Sequence, residues 1–330
     1  MSTWHNLTEN QKLDAVRAAI EAIEADDLTV TGDRIGALIG TTGRTGRTYL
    51  GKLREAAPEP QPASMFEVTE RLETYVPEVT PTDYDIVCMP DVQAPFHDRK
   101  LVEKFTSFVG EFQPHLLAQV GDFTDSTEIS VWAKGLQLEF AGGLQDGLDQ
   151  AEGILRDLRS VYSGRMVIVR SNHDDRLHRY IAKSAPGLAD LRDLTIEKLL
   201  HLDELNVEFS HKIVDLAPGW IMAHGDEGGL SGVAGQTAMK LARQCRQSTV
   251  CGHSHRAGIT SETTGYNGRS DVLTGLEVGH FMDLEKANYL KRGSGNWQQA
   301  FGILRVRDDR VYPELVSVVN GRFTVDGIEY

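Results

Sequence analysis

The residues in this chain best suited to chemistry are aspartates, asparagines and histidines gathered at five places. Asp91 and Gln93 lie in PDVQAPFH, with His97 four residues beyond Gln93. Asp122 and Asp125 lie in GDFTD, Asn172, His173 and Asp174 in SNHD, His224 and Asp226 in AHGD, and His253 and His255 in GHSH. Singly, each is an ordinary turn or cap. Together they offer carboxylate, amide and imidazole donors, a mixture suited to one or two borderline or hard divalent cations such as Mn, Fe, Zn or Mg. No cysteine stands among them, which argues against a structural zinc site.

Each cluster directly follows an apolar run that reads as a strand: DIVCM, HLLAQV, RMVIVR, WIMAH and STVCGH. A helix from about Leu138 to Val161, carrying Leu144, Leu148, Ile154, Leu155 and Leu158, separates the second and third runs. Apolar strands alternating with helices predict an α/β domain whose sheet is buried on both faces. In such sheets the crevice outside the carboxyl ends of the strands is where ligands bind. Residues 176–205 read as helical and could cap that crevice. The C-terminal AFGILRVRDDRVYPELVSVVNGRFTVDGIEY alternates at period two, with a turn at Asn320-Gly321, and reads as antiparallel hairpin.

The ordered set DVQ, GDFTD, SNHD, AHGD and GHSH, spanning Asp91 to His255, resembles the calcineurin-like metallophosphoesterases. Their pattern is Asp-x-His, Gly-Asp-x-x-Asp, Gly-Asn-His-Asp/Glu, a lone His, then Gly-His-x-His. The resemblance implies a two-sheet sandwich flanked by helices, with two metals in the crevice. It puts Asp91 and His255 on the first metal, Asp122 between both, and Asn172, His224 and His253 on the second. It makes His173 the group that protonates the leaving oxygen, with Asp125 and Asp174 orienting imidazoles.

Two positions depart from the pattern. Ser171 replaces a glycine, which should matter little. Gln93 replaces a histidine ligand of the first metal. Its amide oxygen is a neutral hard donor, so two divalent ions are expected with Mn preferred, and Mg, Fe, Ni or Zn as alternatives.

The chemistry implied is ester hydrolysis. Two cations bind the ester oxygens and lower the pKa of a shared water, and the hydroxide attacks in line. His173 as general acid would contribute on the order of 10²–10⁴-fold. Arg176, His178 and Arg179 in DDRLHRYIAK, together with His97, are candidate substrate contacts. Trp297 is a candidate for base stacking or for core packing. The expected activity is phosphodiesterase action on nucleic acids or nucleotides, a DNA nuclease among the forms it could take. One alternative is a 2',3'-cyclic nucleotide phosphodiesterase or broad phosphatase. Another is a DNA-binding regulator with a weakened metal site.

The N-terminal part is of a different kind. Residues 8–25, DRIGALIG and TGRTYLGKLREA read as three helices, with a tight turn between the last two, suggesting a helix-turn-helix-like module over 1–57. From Arg34 to Arg54 there are basic residues and no acidic one, and Arg44, Arg47, Lys52 and Arg54 are candidate nucleic-acid contacts. The glycines at 43, 46 and 51 weaken a recognition helix, by roughly 1 kcal/mol each. The alternative is a bundle for homodimerisation or partner binding. A Pro- and Glu-rich linker is expected over 58–82, with a short helix near Met65–Thr74, and the catalytic domain over 83–330. A module of this kind ahead of such a domain resembles phosphoesterases encoded in phage genomes.

Composition sets the remaining limits. The 330 residues are 40% hydrophobic and 25% charged, ordinary for a soluble globular chain, and carry a net charge of −14. That charge excludes a generally nucleic-acid-coating surface but not a local basic patch. Cys88, Cys245 and Cys251 form no CxxC pair, as in a reducing compartment. Without a signal core or an apolar run long enough to span a bilayer, a cytoplasmic location is expected.

Overall fold

Two compact units, Met1–Gln61 and Pro62–Tyr330, make up the chain. The computed structural model describes residues 4–25, 30–56, 82–130, 143–286 and 295–330. Almost all of the expected 58–82 linker, its short helix, and the 138–142 start of the long helix lie outside the described residues. Among those described, no helix is long and apolar enough to cross a membrane.

In the first unit, α1 (Glu9–Ala25), α2 (Gly32–Leu38) and α3 (Gly43–Ala56) follow the predicted pattern. Val16, Ala19 and Ile23 of α1 pack with Ile35 and Tyr49 to form a small core, with Trp4 edge-on to Tyr49 at 5.2 Å. Gly36 of α2 and Gly46 of α3 prove to be packing devices. A Cβ on Gly46 would meet the carbonyl oxygen of Gly32 at 2.1 Å, and one on Gly36 would meet the Thr42 backbone at 2.7 Å. Their helix-propensity cost is the condition for the two backbones to touch.

The second unit runs β1 (Asp83–Met89), α4 (Arg99–Phe112), β2 (Leu116–Gln119), α5 (Leu144–Val161), β3 (Arg165–Val169), α6 (Asp175–Ser184), α7 (Ile196–Leu199) and β4 (Val207–Ser210). It continues with β5 (Val214–Ala217), β6 (Trp220–Met222), α8 (Gln236–Cys245), β7 (Ser248–Cys251), β8 (Ala257–Tyr266), β9 (Arg269–Val278), β10 (Ala300–Arg307) and β11 (Arg310–Ser317), then a short β12–β13 hairpin. A six-stranded sheet has the order β11-β10-β1-β2-β3-β4, and a five-stranded sheet the order β5-β6-β7-β9-β8.

The period-two alternation of strand side chains explains the layering. Ile86 and Cys88 of β1, Leu116 and Ala118 of β2 and Val167 and Val169 of β3 meet Met222, Val250, Leu276 and Val278 of the other sheet. The intervening Val87, Met89, Leu117, Met166 and Ile168 face Leu101, Phe105 and Phe108 of α4 and Leu148, Leu155 and Leu158 of α5. Leu241 and Ala238 of α8 cover the outer face of the second sheet at Ala223 and Cys251. The result is the two-sheet sandwich flanked by helices that the resemblance implied, with a small all-α unit ahead of it.

The C-terminal hairpin forms, but its main turn is at Asp308-Asp309 between β10 and β11, both residues having positive φ. Asn320-Gly321 is also a tight turn, closing only the Val319–Arg322 bridge.

Candidate metal centre

Parallel pairing of β1, β2 and β3 aligns three of the five motifs, and parallel β6 and β7 align the other two. Loop backbones then lock them together. The N–H groups of Val92 and Gln93 both donate to the carbonyl oxygen of Asp122, at 3.1 and 2.8 Å. Gly252 N–H donates to the His224 carbonyl at 2.9 Å. Gln119, unnoticed in the sequence, ties the first two motifs from beneath: its amide nitrogen donates to the carbonyls of Pro90 and Gly121. Only glycine fits at 252, where a Cβ would meet Asp91 Oδ1 at 2.0 Å.

Two overlapping triads result. Asp122, His224 and His253 bring donor atoms within 4.8 Å of one another, and so do Asp91, Asp122 and His255. Asp122 is shared. Asn172 joins the first group, its Oδ1 lying 3.0 Å from His224 Nε2. Gln93 joins the second, its amide nitrogen 2.9 Å from His255 Nε2. Asp91, Gln93, Asp122, His224 and His255 are all buried.

A cation fits this chemistry. Asp91 Oδ1, Gln93 Oε1 and His255 Nδ1 are buried polar atoms with no hydrogen-bond partner. Burying such groups without compensation is costly. His224 is set in one orientation by its Nδ1, which donates to the Val120 carbonyl at 2.8 Å and leaves Nε2 3.2 Å from Asp122 Oδ1. Burial pulls its imidazole pKa down, but the Asp122 carboxylate more than offsets this, and the net value is up to about 10. A proton on Nε2 and a cation compete for one position. Asp122 is held well below the ordinary carboxylate range: burial acts against this, and the imidazoles of His173 and His224 overcome it.

His173 stands at the rim, its side chain 14% exposed. Nδ1 is 3.4 Å from Asp125 Oδ2, close enough for attraction, though no well-formed hydrogen bond joins them. Nε2 is 2.8 Å from Arg176 Nη2 and 3.7 Å from Asp122 Oδ2. Burial lowers the His173 pKa; the carboxylates of Asp122 and Asp125 outweigh it and the net shift is upward.

Asp174 differs from expectation. Rather than orienting an imidazole, it accepts from Ser171 Oγ at 2.7 Å and Thr124 Oγ1 at 3.4 Å. Burial and the charge on Asp122 push its carboxyl up to about 6. Ser171 therefore matters more than its place in the motif suggested: it also accepts from Asp174 N–H at 3.2 Å and closes the loop on itself.

The candidate substrate contacts separate. Arg176 reaches the crevice, 3.3 Å from Asp125 Oδ1 and touching His173. His178 and Arg179 are on the exposed face of α6, with Arg179 paired to Asp175 at 3.2 Å. His97 is a correction. It is 4% exposed, forms a strand bridge with Met282, and its imidazole is pushed down to about 4, chiefly by burial. A neutral buried histidine is not placed to hold substrate. Trp297 packs edge-on against His255, with ring centroids 4.3 Å apart.

In the first unit the basic cluster is partly neutralised. Arg47 is 3.0 Å from Asp33, which borders the stretch that looked purely basic, and Lys52 is 3.2 Å from Glu9 of α1. Arg44 is exposed, and the side chain of Arg54 lies outside the described residues.

Five strand-end motifs thus meet in one crevice, in an order that resembles that of the calcineurin-like metallophosphoesterases. No family model matches the chain. Among solved structures it is similar to Vps29 from Cryptosporidium parvum, at TM-score 0.40 and 12% identity over 76% of this chain and 99% of that one. It is also similar to YfcE, a phosphoesterase from E. coli, at TM-score 0.35 and 13% identity over 71% and 100%. At TM-scores below 0.5, no functional point rests on either. Sequence relatives are much nearer. A Gene 54 protein of Mycobacterium phage D29 is 39% identical over 246 residues, 73% of this chain and 96% of the relative. Its counterpart in Mycobacterium phage L5 is 37% identical over spans of the same size. The chain belongs to the family of these mycobacteriophage Gene 54 proteins.

Proposed function

We propose that this protein is a dinuclear metal-dependent phosphodiesterase acting on nucleic acids or nucleotides. The observation that carries the reading is the pair of triads sharing Asp122, with His173 and Arg176 at their edge. Asp91, Gln93, Asp122 and His255 would hold one cation, and Asp122, Asn172, His224 and His253 the other. Bound there, the cations would neutralise ester oxygens and lower the pKa of water, with Mn favoured by the oxygen-rich first set.

The remaining work belongs to side chains. Arg176 is a planar donor beside the general-acid candidate and suits the non-bridging oxygens of a phosphate. His173 Nε2 accepts from Arg176 Nη2 at 2.8 Å in this structure. With Arg176 drawn onto the phosphate, a protonated Nε2 would give its proton to the leaving oxygen, the Asp125 carboxylate 3.4 Å from Nδ1 favouring the charged ring. The first unit would bring the enzyme to DNA through Arg44 and its neighbours on α3.

A second reading keeps the enzyme and shrinks the substrate to cyclic nucleotides. The internal pairing of Arg47 and Lys52 favours it, because those charges are already answered within the unit. A screen of Mn, Mg, Ni and Zn against single- and double-stranded DNA, RNA, cyclic nucleotides, monoesters and bis-p-nitrophenyl phosphate decides between them. No hydrolysis under any pairing overturns the enzymatic reading.

A further inference from the structure

Glu277 is a fully buried carboxylate at the end of β9 that belongs to none of the metal-ligand motifs. One oxygen accepts from the N–H groups of Thr237 and Ala238, at 2.5 and 3.3 Å, in the first turn of α8. The other accepts from Ser254 Oγ at 2.7 Å. Gly275 allows the approach, since a Cβ there would meet the Met239 nitrogen at 2.4 Å. The N-terminal N–H groups of a helix suit a buried carboxylate, so α8 accounts for the partners of one oxygen. It does not account for the bond to Ser254.

Ser254 lies between His253 and His255, and both histidines hold left-handed backbone, with φ of 63° and 55°. Non-glycine residues keep that conformation only where their surroundings over-determine it. Here Ser254 is the pivot. Its N–H donates to the Gly252 carbonyl at 2.7 Å, and its Oγ donates to Glu277 while accepting from Arg256 N–H at 3.2 Å. The Oγ contact links this loop through Glu277 to the first turn of α8.

We propose that Glu277 is a positioning residue for both halves of the metal centre. Through Ser254 it holds the Gly252–His255 loop so that His253 faces one triad and His255 the other. The inference rests on the metal-centre reading above.

The test is Mn2+ titration of the full-length protein, following free ion by electron paramagnetic resonance, with the melting temperature of the chelated protein measured in parallel. Ser254→Ala leaves the α8 contacts of Glu277 in place and should weaken Mn2+ binding about tenfold or more. Glu277→Ala should weaken it at least as much, and adding Ser254→Ala to that variant should change little further. Glu277→Gln, which keeps an acceptor for α8, should recover part of the affinity. Unchanged Mn2+ affinity in both alanine variants, with only a lower melting temperature, overturns the proposal while leaving the metal centre standing. Wild-type protein that takes up no Mn2+ overturns both.

Discussion

The amide nitrogen of Gln93 lies 2.9 Å from His255 Nε2 and 3.2 Å from Asp122 Oδ2, while its carbonyl oxygen is buried without a partner. An amide nitrogen has no lone pair to give a cation, so Gln93 can ligate only by turning its oxygen inward. That oxygen is a hard, neutral donor. Gln93→His should therefore raise Zn binding and lower the Mn-to-Zn activity ratio by about tenfold or more. Metal content after dialysis and activity in each metal check this, and an unchanged ratio removes Gln93 from the coordination set.

Replacing His173 by asparagine should lower turnover by roughly 10²–10⁴-fold and leave metal content intact. The ring approaches Asp122 only at 3.7 Å and presents its other edge to Asp125. Loss of bound metal in this variant would show instead that His173 is a ligand.

Arg176→Ala should act mainly on substrate binding. A lost charge-assisted contact to a phosphate is worth about 1.5–3 kcal/mol, or on the order of tenfold to a hundredfold in KM. Metal stoichiometry should not change. A fall in kcat at constant KM would mean that Arg176 serves His173 rather than substrate.

His97 predicts a pH dependence of stability. Its folded value is pushed from 6.5 to about 4, so between those values the unfolded chain binds the proton more readily. The associated stability is complete above about pH 6.5 and is lost as pH falls toward 4, by about 3 kcal/mol in full. Denaturant unfolding of wild type and His97→Leu at pH 7 and pH 4.5 should show a smaller acid loss in the variant. Equal losses would disprove the assignment.

If the first unit serves DNA, deleting residues 1–57 should abolish salt-sensitive DNA binding while hydrolysis of bis-p-nitrophenyl phosphate persists. Binding that survives the deletion would place the nucleic-acid surface on the catalytic unit.

Strands buried on both faces were legible because they read as unbroken apolar runs, which is how β1, β2, β3, β6 and β7 announced themselves. The β8–β9 hairpin was not. AGITSETTGY is rich in Thr, Ser and Gly and half exposed, and only its Asn267-Gly268 turn, with φ of 58° and 78°, carried a local signal. The metal-ligand candidates were legible through their fixed order. Gln119 and Glu277 were not: Gln119 is the lone polar residue of the apolar β2 and Glu277 sits in the mixed RSDVLTGLEV, and the partners of both are fixed by tertiary contacts. The partial pairing of the basic stretch in α2 and α3 was hidden for the same reason: Asp33 borders it, but Glu9 reaches it only through folding.

The ligand candidates come from both sheets, Gln93 following β1 beside Asp91. Asp91, Asp122 and Asn172 follow strands of the six-stranded sheet, while His224, His253 and His255 follow strands of the five-stranded one. Ions held by both groups would be rivets through the sandwich, joining positions as far apart in sequence as Gln93 and His255, 162 residues from each other. Chelation should then act as a mechanical release. The sheets would part first at their carboxyl edges, with amide exchange rising in the strand-end loops while the aromatic packing of α4 stays protected.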